Sequence, residues 1–222
     1  MPVEHYENFP VASFLLPARL REPVEAIYAF ARSADDIADE GNALARVRLE
    51  RLDAYRRHLR AAVRKRPIDD PELAPMFERL GRNIRHHQLP VPLLGDLLDA
   101  FSQDVRQTRY ADFAELSDYC RRSANPVGRL LLHLYKADTP DNLLLSDKIC
   151  TALQLINFWQ DVEVDWRKSR IYIPLADMER FGVTEAVIAG GEVTPQFSAL
   201  MDFEIQRART LMLHGAPLAR RL

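Results

Sequence analysis

The sequence predicts an all-α protein, and three observations lead to that fold class. Proline, N-cap residues and glycine recur along the chain at positions typical of helix starts and stops. No stretch between them alternates apolar and polar residues over a useful strand length. Apolar residues make up 47% of the 222 residues, which is enough to fill a substantial core. We therefore expect one helical domain over residues 1–222.

The same signals predict the individual helices. Pro23 suits the first turn of the first helix, Asn42 can cap the second, and Asp70 with Pro71 starts the third. Residues 125–128 (Asn-Pro-Val-Gly) should break the fifth helix, because proline lacks a backbone donor and clashes with the preceding turn. In chain order we expect helices over residues 23–41, 42–66, 70–88, 92–101, 113–135, 140–165, 176–181, 184–189 and 194–215.

Charge, cysteine content and hydropathy argue against several classes of protein. The 30 basic and 32 acidic side chains leave a net charge of −2, so no global field attracts nucleic acid. Cys120 and Cys150 lack Cys-x-x-Cys spacing, which argues against a disulfide framework and a thiolate zinc site. The first residues do not read as a secretory leader, and no apolar run reaches about 18 residues. We expect a cytoplasmic protein, for which peripheral contact with the inner face of the membrane stays open.

A polar stripe runs along the helix predicted for residues 140–165. Its members, spaced three or four residues apart and therefore on one helix face, are Gln154, Asn157, Asp161 and Asp165. The residues between them are mostly apolar, which is unusual for a solvated helix. We infer that the carboxylates point into a partly enclosed space and need a partner there.

The first predicted helix carries a similar stripe, made of Tyr28, Arg32, Asp35 and Asp39. A single Asp pair at this spacing is more often exposed to solvent than functional. Two such pairs facing each other, however, would make a cleft of strong negative charge. Mg²⁺, held by a few carboxylates, water and substrate phosphate, would neutralise that charge. The pattern therefore predicts a Mg²⁺-bound diphosphate, whose oxygens Arg32 could contact directly.

Two other kinds of cofactor site find little support in the sequence. The histidines show neither Glu-x-x-His nor His-x-x-x-His spacing, which argues against a carboxylate-bridged di-iron centre. No Gly-x-Gly-x-x-Gly fingerprint is present, so we expect no NADPH site.

These motifs resemble the two aspartate-rich motifs of the squalene and phytoene synthase family. The likeness is carried by residues 35–39 (Asp-Asp-Ile-Ala-Asp) and 157–165 (Asn-Phe-Trp-Gln-Asp-Val-Glu-Val-Asp). It also includes residues 5–17, 28–39, 109–110, 119–128 and 154–174. Within the family, the chain looks most like the bacterial hopanoid-pathway branch that makes hydroxysqualene from presqualene diphosphate. That closer likeness rests on residues 5–13, 123–129 and 157–162.

The resemblance implies a single-domain isoprenoid (terpenoid) synthase bundle with a central pocket, and it implies roles for individual residues. The Mg²⁺ ligands would be Asp35, Asp39, Asn157, Asp161 and Asp165. The catalytic residues would be Asp35, Asp39, Asp161, Asp165, Tyr119 and Tyr172. The substrate-binding residues would be His5, Asn8, Phe9, Tyr28, Arg32, Gln154, Phe158 and Arg170, with Trp159 as a further aromatic wall.

The implied reaction is Mg²⁺-dependent ionisation of presqualene diphosphate, rearrangement of the carbocation and capture of water. Gln160 fits a substrate with one diphosphate, because family members that condense two prenyl diphosphates commonly carry Arg at this position. Two alternatives stay open. One is head-to-head condensation of prenyl diphosphates to presqualene diphosphate, squalene or phytoene. The other is a non-catalytic assembly protein of the same fold.

Two further expectations come from the resemblance. The family pattern continues beyond the position of Leu222 with helices that help close the pocket, so those helices would be missing from this sequence. The resemblance also implies functional coupling to other enzymes of the squalene pathway.

Overall fold

The computed structural model describes residues 16–222, which fold into eleven α-helices and a closing 3₁₀ turn without any strand. The helices are α1 (Ala18–Asp39), α2 (Ala45–Val63), α3 (Ala74–His87), α4 (Val91–Asp104), α5 (Phe113–Ser123), α6 (Asn125–Leu134), α7 (Pro140–Gln160), α8 (Val162–Arg167), α9 (Leu175–Arg180), α10 (Glu185–Gly190) and α11 (Pro195–Gly215). The 3₁₀ turn spans Ala216–Arg220. The predicted all-α fold class is confirmed.

Two apolar clusters hold the helices together. The first joins α1, α2, α3, α4 and α6 through buried side chains such as Phe30 and Phe77. The second joins α5, α7, α11 and the segment after α8, through Leu155, Ile173 and Leu200 among others. Helix α7 packs against both α6 and α11. Helices from both clusters therefore surround one central space.

Helix α1 begins at Ala18, so the predicted start at Pro23 is wrong. Pro23 has no N–H to donate to the carbonyl four residues earlier, and a proline inside a helix costs stability for that reason. Leu16 and Leu20 are only 6% and 2% exposed, because they pack into the first cluster. Burial of these side chains offsets the missing hydrogen bond and extends the helix upstream.

The predicted cap of the second helix is also wrong. Helix α2 begins at Ala45, and its first residues receive no side-chain cap. The loop before it is held by Arg48, which donates to the carbonyls of Ala38 at 2.5 Å and Gly41 at 2.6 Å. A cation at the C-terminal end of α1 also complements the helix dipole. The α1–α2 loop is therefore held by Arg48, a side chain inside α2, and Asn42 does not cap that helix.

Two further boundaries show how turns divide the bundle. Asp70 accepts the backbone N–H of Glu72 at 2.9 Å, so this residue caps a turn and α3 starts only at Ala74. The break predicted at residues 125–128 is confirmed, because α5 ends at Ser123 and α6 begins at Asn125. No helix within residues 16–222 is long and apolar enough to cross a membrane.

Candidate active site

A cavity of about 360 Å³ lies between α1, α4, α5, α6 and α7. Arg32, Asp35 and Asn157 line it with polar side chains, whereas much of the remaining wall is apolar, as at Leu97 and Phe101. Tyr28 and Gln154, both predicted to bind substrate, also line the cavity. The arrangement suits an elongated apolar molecule whose charged group lies among the polar residues.

Helix α1 supplies the first acidic pair. Asp35 borders the cavity, and burial, reinforced by the neighbouring Asp39, raises its pKa to about 7. Burial also opposes ionisation of Asp39, but Arg170 and Lys168 outweigh it and lower the pKa of that carboxyl. Arg170 donates to Asp39 at 2.5 Å, and Lys168 donates to its other oxygen at 3.1 Å. One aspartate of the pair is therefore paired with two cations, and its neighbour is only weakly neutralised.

The second acidic pair lies where α7 gives way to α8. The predicted continuous helix over residues 140–165 is wrong, because Asp161 leaves helical geometry at φ −101° and ψ 16° and ends α7. The backbone N–H of Asp165 still bonds the carbonyl of Asp161 at 2.8 Å, so the two side chains stay one turn apart. Burial, followed by repulsion from Asp161, raises the pKa of Asp165 to about 7.

The segment after α8 brings the two acidic pairs together. Arg170 contacts Asp39 through its guanidinium, and its backbone N–H donates to the carbonyl of Asp165 at 2.8 Å. Asp39 is also one of the charges that raise the pKa of Asp165. Arg170 thus links the two aspartate-rich motifs, and their sharing of a metal ion stays a prediction. Sequence reasoning missed Lys168, although its position two residues before Arg170 could have indicated it.

Arg32 lies beside the acidic residues of its own helix. Its guanidinium is 3.0 Å from the carboxylate of Asp36 and 3.8 Å from that of Asp35. Its side chain is 35% exposed and borders the cavity. Arg32 is therefore positioned to exchange these carboxylates for another anion in the cavity, and its diphosphate contact stays a prediction.

The acidic residues suit a metal ion shared with a ligand better than an ion bound by protein alone. Within residues 16–222, no three His, Cys, Asp or Glu side chains are close enough together to hold a metal. Mg²⁺ is usually bound by one or two carboxylates plus water and substrate phosphate. Burial, reinforced by repulsion from a neighbouring aspartate, raises the pKa of both Asp35 and Asp165, and a bound cation would favour their ionised forms. The donor set therefore fits Mg²⁺.

An aromatic cluster with a buried carboxyl lies beside the acidic pairs. Tyr119, which lines the cavity, donates to Asp104 at 2.9 Å, and Tyr172 donates to the other oxygen of that carboxyl at 3.3 Å. The Tyr172 ring stacks on Phe158 with centroids 3.8 Å apart. Sequence reasoning missed Asp104, because it belongs to neither acidic stripe. Its position three residues after Phe101 on the buried face of α4 is the signal that could have found it.

Some residues that the sequence predicted to bind substrate do not line the cavity, and others fall outside residues 16–222. Phe158 and Trp159 are buried, but the described lining of the cavity does not include them. Gln160 is exposed. The predictions for His5, Asn8 and Phe9 fall outside residues 16–222.

Comparison with known proteins identifies the family. The family model for squalene/phytoene synthase matches residues 3–222. The chain belongs to the squalene/phytoene synthase family. It is similar to the hydroxysqualene synthase of Zymomonas mobilis, at 40% identity over 179 residues that make up 80% of this chain and 58% of that protein. It is also 34% identical over 214 residues to the hydroxysqualene synthase of Rhodopseudomonas palustris, covering 96% of this chain and 70% of that protein.

A solved structure shows the same fold. The squalene synthase HpnC of Alicyclobacillus acidocaldarius aligns with a TM-score of 0.86 at 37% identity, covering 96% of this chain and 78% of that one. The expected terpenoid synthase-like helical bundle is confirmed by this likeness. As a member of the squalene/phytoene synthase family, the chain spans only 58% of the length of its Zymomonas mobilis relative.

Proposed function

We propose that this protein is a Mg²⁺-dependent isoprenoid synthase that converts presqualene diphosphate into hydroxysqualene. The observation that carries the proposal is a cavity with a largely apolar wall that Asp35 and Asn157 line, together with the contacts by which Arg170 links Asp39 to Asp165. Similarity to proteins named hydroxysqualene synthase supports the choice of product within the family. Because the chain spans 58% of its Zymomonas mobilis relative, activity of these 222 residues by themselves is part of the proposal.

The metal ligands in this proposal are Asp35 and Asp39 on one side, and Asn157, Asp161 and Asp165 on the other. Their oxygen atoms suit Mg²⁺. Asp35 and Asn157, one from each group, line the cavity, whereas Asp39, Asp161 and Asp165 are not part of its lining. When bound, Mg²⁺ would stabilise the negative charge that develops on a departing diphosphate.

The basic residues of the site would bind the diphosphate itself. Arg170 is 11% exposed at its side chain and Lys168 is 39% exposed, and both already contact Asp39. Arg32 borders the cavity from α1. Guanidinium and ammonium groups form strong, charge-assisted hydrogen bonds with phosphate oxygens. These three side chains would therefore orient the diphosphate at the polar end of the cavity and keep the hydrocarbon in the remainder.

The chemical step separates charge inside this cavity. The carbon–oxygen bond to the diphosphate breaks, and its electron pair leaves with the diphosphate, giving a cyclopropylcarbinyl cation. Tyr28, Phe101 and Tyr119 line the cavity, and their aromatic rings would stabilise positive charge while excluding bulk water. After rearrangement, the oxygen of one water molecule bonds to the cationic carbon. That water loses one proton, for which the released diphosphate is a base formed in the same reaction.

Gln160 is the basis for choosing a substrate with one diphosphate. This side chain is exposed and directly precedes Asp161. A neutral amide there adds no cation for a second diphosphate, which a condensation of two prenyl diphosphates would bring. We therefore expect little turnover of farnesyl diphosphate alone.

The decisive experiment compares two substrates. The purified protein is incubated with presqualene diphosphate and Mg²⁺ without NADPH, and in parallel with farnesyl diphosphate and Mg²⁺. We expect hydroxysqualene from the first and little product from the second. Squalene from the first incubation, or presqualene diphosphate from the second, would reject the proposed reaction in favour of another synthase activity. No turnover of either substrate would favour a non-catalytic protein.

An Asp161→Asn variant tests the metal assignment in the same assay. The substitution keeps the shape of the side chain but removes a carboxylate ligand, so it should abolish turnover and leave the helical circular dichroism unchanged. Asp202→Asn, an exposed position on α11, is the matched control. Full activity of Asp161→Asn would remove this residue from the proposed metal site.

We also propose a cytoplasmic protein with peripheral membrane contact and coupling to neighbouring enzymes of the squalene pathway. A long hydrocarbon substrate is poorly soluble, so it must arrive from a lipid surface or from the enzyme that makes it. Co-flotation with vesicles of anionic and neutral lipids measures the membrane contact. Recovery of all the protein in the bottom fraction at low salt would contradict it.

A further inference from the structure

Asp104 is a buried carboxyl that the proposed reaction does not yet use. It is the last residue of α4 and is only 6% exposed. Its two oxygens accept hydrogen bonds from different hydroxyls, Tyr119 at 2.9 Å and Tyr172 at 3.3 Å. Its backbone carbonyl accepts a hydrogen bond from Arg170 at 3.3 Å. One residue thus joins α4, α5 and the segment that carries Arg170.

The contacts of the two tyrosines connect this carboxyl to the site. Tyr119 lines the cavity, whereas Tyr172 is not part of the lining and stacks on Phe158 at an interplanar angle of 6°. The rings of Tyr119 and Tyr172 are 5.9 Å apart. Fixing both hydroxyls on one carboxyl therefore fixes the ring that forms the cavity wall and the ring that supports it.

Burial raises the pKa of Asp104 to about 7, so the group is ionised above that pH. The ionised carboxylate can only accept hydrogen bonds, which determines what Tyr119 offers to its other neighbours. The hydroxyl proton of Tyr119 is directed at Asp104, so the remaining lone pairs of its oxygen can only accept. Such an oxygen favours a nearby water proton or positive charge, and it disfavours another acceptor. The carboxylate also increases the electron density of the phenol by polarising its O–H bond.

Burial of this group is difficult to explain by stability alone. A buried carboxyl is costly, and burial raises the pKa of Asp104 to about 7 even with Arg170 nearby. Replacement of buried charged groups by apolar residues of similar volume is often neutral or stabilising. A role in the site accounts for a carboxyl at this position.

We propose that Asp104 is a positioning residue that holds Tyr119 and Tyr172 through their hydroxyl protons, so that the oxygen of Tyr119 faces the cavity only as an acceptor. The inference rests on the proposed function, since it assigns the fixed oxygen to the stabilisation of a cation or of the water that captures it. Asp104 does not touch the substrate in this scheme and acts through Tyr119.

The first test measures the hydrogen bonds without turnover. Protein labelled with ¹³Cζ-tyrosine gives resonances for Tyr119 and Tyr172, assigned by their loss in Tyr119→Phe and Tyr172→Phe. Asp104→Asn should move both resonances, because an amide cannot accept from two hydroxyls with both of its polar atoms. Glu204→Gln, which alters another buried carboxyl on α11, should move neither. Unmoved tyrosine resonances in Asp104→Asn would overturn the proposal.

The second test measures catalysis by the variant. Asp104→Asn should lower kcat about 10- to 100-fold with KM within about twofold, since the lost hydrogen bonds matter most when the cation forms. The fraction of hydroxysqualene among the products should fall as well. Glu204→Gln should keep the wild-type kcat and product ratio. An Asp104→Asn protein with shifted resonances but wild-type kcat and products would show a structural role only and overturn the proposal.

Misfolding of Asp104→Asn and failure of the proposed function would give different results. If Asp104→Asn does not fold, Tyr172→Phe replaces it: removal of one hydroxyl from the shared carboxyl should move the Tyr119 resonance, and an unmoved resonance would overturn the proposal. If the wild-type protein makes no hydroxysqualene, the proposed function fails in that control, and with it the assigned role of the oxygen. The resonances still decide whether Asp104 holds the two tyrosines.

Discussion

Replacing Glu204 by Gln should stabilise the protein at alkaline pH and change its stability little under mildly acidic conditions. Glu204 lies on α11 and is 0% exposed. Arg207 donates to its two oxygens at 2.9 Å and 2.8 Å, and the same nitrogen donates to Asp177 at 2.8 Å. Glu204 and Asp177 therefore share one guanidinium, and two carboxylates next to a single cation favour protonation of Glu204.

The sign of the effect follows from the direction of the pKa shift. Burial, and secondarily the nearby Asp177, raise the pKa of Glu204 from 4.5 to about 7 against the attraction of Arg207. Because the pKa of Glu204 is higher in the folded protein, this residue contributes its full share to the free energy of unfolding below about pH 4.5, the pKa of Glu in the unfolded chain. The contribution is lost as the pH rises through about 7. A shift of this size corresponds to about 1–3 kcal/mol after allowance for relaxation.

Glutamine resembles the protonated carboxyl, since its amide can donate to Asp177 while its oxygen accepts from Arg207. Thermal melts of the wild type and Glu204→Gln at about pH 5 and about pH 8.5 measure the effect. The variant should melt higher only at the higher pH, by about 2–4 °C for each kcal/mol. The exposed Asp202→Asn on the same helix is the control. Equal melting differences at the two pH values would refute the reasoning.

Three further changes follow from the site and its walls. Asp35→Asn, which removes a carboxyl with a raised pKa, should raise the melting temperature of the metal-free protein by about 2 °C at pH 8 while lowering kcat more than about 100-fold, and a lower melting temperature would contradict it. Arg170→Lys keeps the charge but loses the forked contact to Asp39 and the carbonyl of Asp104, so kcat/KM should fall about 10-fold or more, as steady-state kinetics will show. Gly128→Ala should destabilise the protein to urea by about 1–3 kcal/mol, because a Cβ there would lie 2.5 Å from the sulfur of Cys150, and an unchanged unfolding midpoint would show that α6 and α7 adjust freely.

Much of the helical framework follows from local signals. The break between α5 and α6 was predictable because proline and glycine act through the backbone of their own segment. The start of α11 was predictable for the same reason, since Thr194 accepts the N–H of Phe197 as an N-cap. Neither feature depends on distant contacts.

Two of the errors arose where distant contacts override local signals. Burial of Leu20 extends α1 upstream past a proline, and Arg48 holds a loop that Asn42 was expected to cap. Asp161 ends α7, although the periodicity of residues 154–165 is that of one helix. Burial and hydrogen bonding at the first two positions outweigh local helix preferences, which are below about 1 kcal/mol for most residues and about 3 kcal/mol for proline.

The two acidic pairs were found because their spacing repeats on one helix face. Asp104 has no such pattern, and its partners Tyr119 and Tyr172 lie far from it along the chain. Only the folded chain brings the three together. Lys168 was missed for a related reason, because its contact with Asp39 joins residues that are far apart in sequence.

The ion pairs of Asp39 have a consequence for the order in which ligands bind. In the free protein, Lys168 and Arg170 occupy the carboxylate that the proposed metal would need. A divalent ion alone would release two cationic side chains next to itself, and a diphosphate alone would leave the carboxylate without a counterion. Each ligand should therefore raise the affinity for the other by the same factor. The site would therefore bind the metal and the diphosphate together. On binding, Asp39 would exchange Lys168 and Arg170 for the metal, and these two side chains would turn to the diphosphate.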